Sequence, residues 1–107
     1  MNTSGSNQYD AIEKLIYDEG LRIEAIDIHP DLDVMLIILN TKVVLKQNLS
    51  SYKRLKGADK TALLKYQLIA KGTGVHWPEL DEDLSLKGFL QDELRKVVND
   101  KPGIRAA

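Results

Sequence analysis

The run Val34–Leu39, VMLIIL, constrains the fold more than any other stretch of the chain. Six consecutive apolar residues are too few to cross a bilayer and too few for a buried helix. They are also too uniformly apolar for a half-exposed strand, which would alternate. The run therefore reads as a central β-strand covered on both faces. Its flanks agree. HPDLD at 29–33 is turn chemistry, with Pro presetting φ and the Asp side chains closing the turn. Asn40-Thr41 is a tight turn, and KVVLK at 42–46 reads as the next strand. Upstream, Leu21, Ile23 and Ala25 alternate with Arg22 and Glu24. Ile26 and Ile28 then continue on the opposite parity, a slip that one β-bulge repairs. Residues 21–47 are thus expected to form a three-stranded antiparallel meander.

The period changes on either side. Tyr9, Ile12, Leu15 and Ile16 are spaced as a helix over 9–19, with Asp10 and Glu13 in its first turn and Gly20 ending it. Leu49, Tyr52 and Leu55 share a helical face that Gly57 closes, and Asp59 can cap a short helix carrying Ala62 and Leu63. KYQLIA at 65–70 reads as a fourth strand, Gly72-Thr73-Gly74 as a hairpin turn, and VHW at 75–77 as a fifth strand stopped by Pro78. Ser85 is a good N-cap for a final helix over 86–98. Its single apolar stripe is Leu86, Phe89, Leu90, Leu94, Val97 and Val98. NDKPG at 99–103 breaks it. The expected fold class is α+β: a small antiparallel sheet of about five strands with helices packed against it, an N-terminal helix and a longer C-terminal helix. Residues 9–100 form one domain between a disordered 1–8 and a flexible 101–107.

A chain of 107 residues supports a single modest core. There is no Cys, which excludes disulfides, thiolate metal sites and a Cys nucleophile, and fits a reducing compartment. MNTSGSNQ has neither a positive charge nor an apolar run, so it is not a signal peptide. A cytoplasmic protein without a membrane segment is expected. The net charge of −1 conceals a segregation: residues 1–41 carry net −6, residues 42–71 net +7, residues 72–100 net −4 and the tail net +2.

The richest stretch chemically is Gly74–Leu86, GVHWPELDEDLSL. His76, Glu79, Asp81 and Asp83 have side chains suited to a cation. Their spacing matches no ligand pattern: there is no HExxH, and the acids lack the Gly and terminal Glu of a calcium loop. The simpler reading is that Asp81, Glu82 and Asp83 precede the positive end of a helix dipole, with His76 at a strand edge. No metal and no cofactor are expected. No enzyme is expected either, because no nucleophile or oxyanion loop is evident. Trp77 with Pro78 fits an interface hot spot or, in preference, a core plug. The basic cluster Lys53, Arg54, Lys56 and Lys60 suits phosphate backbones, an acidic partner, or the acidic first third of another copy. Only Tyr52 and Tyr66 interleave with it, and no helix-turn-helix or RNA-binding signature is present. The candidate binding set is therefore Lys53, Arg54, Lys56 and Lys60 with Trp77, Glu79, Asp81 and Asp83.

KYQLIAKGTGVHWPELDEDLSLKGFL resembles the C-terminal signature of a widespread bacterial domain-of-unknown-function family, number 2442. The matching positions are Gly72, Gly74, Val75, His76, Trp77, Pro78, Leu80, Asp81, Glu82, Asp83, Leu84 and Ser85, and the resemblance covers about residues 21–90. The chain departs from the family in its helix over 9–19, in Leu39, Asn40 and Thr41 where members carry a Phe and a Gly, and in a longer last helix. The resemblance implies a small α+β domain with no established catalytic residues. Members are sometimes fused to a DNA-binding helix-turn-helix domain, which is not readable here. Their genes often lie beside that of a second small protein, which implies an antitoxin-like or accessory role. The expected function is a non-enzymatic protein-interaction module, antitoxin-like, with a small protein partner or a homodimer. The alternative is a nucleic-acid-associated regulator using residues 42–71.

Overall fold

The computed structural model describes residues 9–99; the expectations for 1–8, for residue 100 and for 101–107 lie outside them. The fold is α+β, with antiparallel strands, an N-terminal helix and a longer C-terminal helix. Among the described residues there are six strands, close to the expected five or so, and they divide into two three-stranded meanders. The first holds β1 (Ile23–His29), β2 (Val34–Leu39) and β3 (Val44–Asn48). The second holds β4 (Gln67–Ile69), β5 (Gly74–Trp77) and β6 (Glu82–Ser85).

VMLIIL is the central strand β2, as expected, and the β1–β2 register slips between Ile23 and Ala25, one step before the parity change expected between Ala25 and Ile26. Two cross-strand rows, Ile26–Ile37–Leu45 and Ile28–Met35–Gln47, point into the core and are buried. The expectation of burial on both faces is corrected. The alternate rows, Ala25–Ile38–Val44, Asp27–Leu36–Lys46 and His29–Val34–Asn48, face away, and none of their residues belongs to the core or packs against it. The strand is aliphatic on both sides; among the described residues one side is buried in the core, and Val34, Leu36 and Ile38 on the other are half-buried.

Helix α1 (Ala11–Glu13) starts with a capping box: Asp10 accepts from the Glu13 N–H, and the Glu13 carboxylate accepts from the Asp10 N–H. It continues as a π-helical turn, Lys14–Asp18, that drives Ile16 into the core, and Arg22 donates to the carbonyl of Ile16 at its end. The helix expected around Leu49, Tyr52 and Leu55 does not form. The segment is a 3-10 turn, Leu49–Ser51, followed by further turns to Gly57. Asp33 captures Ser50 through both its N–H (2.8 Å) and its hydroxyl (2.5 Å), which pulls the chain back against the β1–β2 turn and out of a helical path. Asp59 does cap the short α2 (Lys60–Leu63).

The acids at 81–83 do not start a helix. Pro78–Asp81 is a hairpin loop, closed with Asp81 at φ 50°, and Glu82 and Asp83 lie in β6, paired with Trp77 and His76. Asp and Glu are weak strand formers, so β6 exists because β5 supplies the partner. Ser85 then ends β6 and caps α3 (Leu86–Asn99) through the Gly88 N–H.

Leu86 and Phe89 of α3 are buried and Leu90 packs against the core, but the stripe stops there. Leu94, Val97 and Val98 are 55%, 66% and 63% exposed. Fourteen residues extend about 21 Å. The distal half passes the edge of β3 and turns a polar side to it: Glu93 bonds Gln47, and Lys96 bonds the Lys46 carbonyl.

Gly72 and Trp77 are central to how the two meanders meet. Gly72, at φ +88°, leads into β5 with its Cα so close to β1 that an added Cβ would lie 2.9 Å from the Ile23 carbonyl oxygen. Trp77 is completely buried, and its indole N–H donates to the Leu63 carbonyl at 3.0 Å. We expect Trp77→Ala to destabilise the fold by about 3–5 kcal/mol. Trp77→Phe, which leaves the Leu63 carbonyl without that donor, should cost about 1–3 kcal/mol. Urea unfolding followed by circular dichroism measures both; equal losses would show that the ring Phe retains adds nothing and would contradict the packing role of the aromatic side chain.

Candidate functional site

The hairpin loop at 78–81 gathers opposite charges from three parts of the chain. Arg54, on the turns after β3, donates from Nη1 to both the carboxylate and the carbonyl of Asp81, each at 3.0 Å. Lys65, just after α2, reaches Glu79 at 2.7 Å. That carboxylate holds the Lys65 ammonium above the usual lysine pKa. Across β5 and β6, His76 Nδ1 meets the Asp83 carboxylate at 2.5 Å. The basic segment and the acidic stretch, far apart in sequence, are partly neutralised against each other. These are exposed pairs, and such pairs stabilise weakly.

Of the candidate binding residues, the structure brings Arg54, Glu79, Asp81 and Asp83 to this one region. Lys53, Lys56 and Lys60 are exposed and make no ion pair among the described residues. Trp77 is removed from any surface: it is the core plug. His76 sits on the central strand of its sheet rather than at an edge. Gly72 takes the positive φ expected of the turn, whereas Gly74 lies in β5, where its missing side chain leaves room for Ile69.

A second polar cluster escaped the sequence reading. Gln47 is a buried polar residue in an inward row of the first sheet. Its amide donates to Glu93 at 2.9 Å, and its carbonyl accepts from the Tyr52 hydroxyl at 2.7 Å. Tyr52 also reaches Asp92, Asp92 pairs with Arg95, and Glu93 pairs with Lys96. Burial, and then the Asp92 and Glu93 carboxylates, push the Tyr52 hydroxyl well above the ordinary tyrosine pKa. The cluster borders an open groove of about 480 Å³ lined by Gln47, Asn48, Ser51, Asp92, Arg95 and Lys96, among others. The signal was present: Gln47 has the parity of Leu45, so a strand continued past Lys46 turns an amide inward.

Chemically, both regions are networks of satisfied charges. The two His–carboxylate pairs, His29–Asp27 and His76–Asp83, have no serine or threonine hydroxyl bonded to the ring among the described residues. No group of three or more His, Asp or Glu among the described residues is placed to hold a metal ion. No helix among them is long and apolar enough to cross a membrane.

The sequence model of a family described as "Protein of unknown function (DUF2442)" matches residues 23–93, and the chain belongs to that family. No curated protein matches. Two solved structures share the fold. A protein of unknown function from Rhodospirillum rubrum, solved by crystallography, is 24% identical, with a TM-score of 0.60 over 67% of this chain and 87% of its own. An uncharacterised protein from Chromobacterium violaceum, solved by solution NMR, is 23% identical, with a TM-score of 0.64 over 85% of this chain and 83% of its own. At these identities the likeness establishes the architecture.

Tyr52→Phe leaves the buried Gln47 carbonyl without its donor, and we expect a loss of about 1–3 kcal/mol near neutral pH. The raised pKa sets the sign of the pH dependence. Below the unfolded tyrosine pKa of about 10, both states hold the proton and the contribution is complete. As pH rises beyond it, the unfolded state ionises first, and the stability is lost. Denaturant titrations at neutral and at alkaline pH should therefore show the wild type and Tyr52→Phe converging as pH rises; a constant gap would contradict this role for the hydroxyl.

Proposed function

We propose that this protein is a non-enzymatic protein-interaction module whose partner docks on the distal half of α3. One observation carries the reading. Leu94, Val97 and Val98 follow i, i+3, i+4 spacing, so they form one continuous apolar stripe, and each is more than half exposed. Ordinarily such a stripe on a helix lies against a core. Here the helix turns its polar side to the fold, where Glu93 and Lys96 are tied to β3, and so holds the stripe outward. Exposed contiguous apolar surface of this kind marks association sites. A small protein presenting an apolar helix or groove is the fitting partner. The antitoxin-like role implied by the family resemblance is a narrower case of the same reading.

The test is capture from the host with tagged protein, with nuclease present. Val97→Asp should abolish recovery of the partner while the circular dichroism spectrum stays that of the wild type. Undiminished recovery would remove α3 as the docking site.

A second reading, nucleic-acid association, has one observation in its favour: among the described residues Lys53, Lys56 and Lys60 remain exposed without acidic partners, although Arg54 is engaged by Asp81. It requires retention of DNA or RNA that weakens steeply with salt, and loss of retention in Lys53→Glu/Lys56→Glu. Absence of retention at low salt would end it.

A further inference from the structure

The outward face of the first sheet has a pattern that the fold does not use. Its middle column is aliphatic throughout: Val34, Leu36 and Ile38 of β2. The flanking columns differ in charge. Beside Leu36, β1 presents Asp27 and β3 presents Lys46; beside Ile38 stand Ala25 and Val44; beside Val34 stand His29 and Asn48. Within the chain, Asp27 and Lys46 are kept about 10 Å apart by the strand between them. No ion pair joins them: Asp27 pairs with its neighbour His29 at 2.9 Å in an exposed contact, which leaves the carboxylate open to a second cation, and Lys46 has no acidic partner among the described residues.

We infer that this face is closed by a second copy of the chain, related by a two-fold axis running along β2. The inference shares with the preceding reading only the class of function, protein association; the surface and the partner are different. The geometry follows from the pattern. A two-fold axis parallel to β2, lying between the two sheets, keeps each cross-strand row at its own height and exchanges left for right. Leu36 then meets Leu36, Ile38 meets Ile38 and Val34 meets Val34. Each Ala25 faces the other copy's Val44. Both Asp27 carboxylates face the other copy's Lys46 ammonium. An in-plane axis perpendicular to the strands would instead set β1 on β1 and β3 on β3, opposing Asp27 to Asp27 and Lys46 to Lys46. The charge pattern thus selects one operator. It is the isologous, self-complementary arrangement that two-fold dimers require, and it leaves the strands of the two sheets aligned, as in face-to-face sandwiches. It also supplies the second cover that VMLIIL demands. A face of three short strands is small beside the ~1,200–2,000 Å² of standard interfaces. The dimer is therefore expected as a concentration-dependent equilibrium.

Sedimentation equilibrium over a wide concentration range tests this, with wild type, Asp27→Lys, Lys46→Asp, an equimolar mixture of the two single variants, and the double reversal. The wild type should dimerise. Each single reversal sets like charges opposite each other at both ends of the row and should raise the dimer dissociation constant at least about tenfold. The mixture should associate as a heterodimer, since every Lys then faces an Asp, and the double reversal should regain the homodimer. Recovery in the mixture also shows that both variants are folded. A wild type that stays monomeric at all concentrations overturns the inference, as does a dimer indifferent to both single reversals. Neither result touches the α3 reading, which depends on capture of a different protein and on Val97.

Discussion

The fold depends on the burial of one indole. Trp77 lies on β5, in the second meander, yet its ring is enclosed in a core that also holds Ile26, Ile37 and Leu45 of the first meander, Ile16 of the N-terminal helix, and Leu86 and Phe89 of α3. Its N–H would be costly to bury unpaired, and the Leu63 carbonyl satisfies it. That bond fixes α2 relative to β5, and through α2 the turns that carry Arg54 and the lysines. Two three-stranded sheets of this size would each be marginal alone. A shared core with a large aromatic residue at its centre makes them one domain. The close approach of Gly72 to β1 brings the sheets near enough for that core to form.

Much of this was legible in the sequence. The central position of VMLIIL, the bulge before Ile26, the Asp59 and Ser85 caps, and Trp77 as a plug all follow from local chemistry, and local chemistry is what a sequence displays. The failures have physical causes that lie elsewhere in the chain. Leu49, Tyr52 and Leu55 have helical spacing, but the Asp33 carboxylate holds Ser50 from seventeen residues away and imposes turns. Glu82 and Asp83 look like the prelude to a helix because they are poor strand formers; pairing with β5 overrides that preference. The amphipathic stripe of α3 is real along its whole length, while beyond Leu90 the helix meets β3 with its polar side, through Glu93 and Lys96.

The candidate sites divide in the same way. Residue types at 53–60 and 79–83 announced a basic and an acidic region, and both exist. Their mutual pairing through Arg54–Asp81 and Lys65–Glu79 was not legible, because it depends on how the hairpin loop docks. The Tyr52–Gln47–Glu93 network was hidden for a similar reason: a buried amide becomes visible only when the strand is extended to Asn48. Outward after these pairings stand, among others, Lys53, Lys56 and Lys60, a short apolar helix stripe and one aliphatic sheet face.

Each sheet is a meander, with every strand hydrogen-bonded to a neighbour in sequence. The connections within a sheet are short turns, so the entropy lost in closing them is small. Longer-range closure brings the elements together at joints that include Gly72 against β1, the indole against α2, and α3 along β3. Topologies dominated by local pairing reach their native arrangement quickly for their size. The largest loop-closure cost in this topology thus falls on bringing the two ribbons together around one side chain, rather than on the search for strand partners.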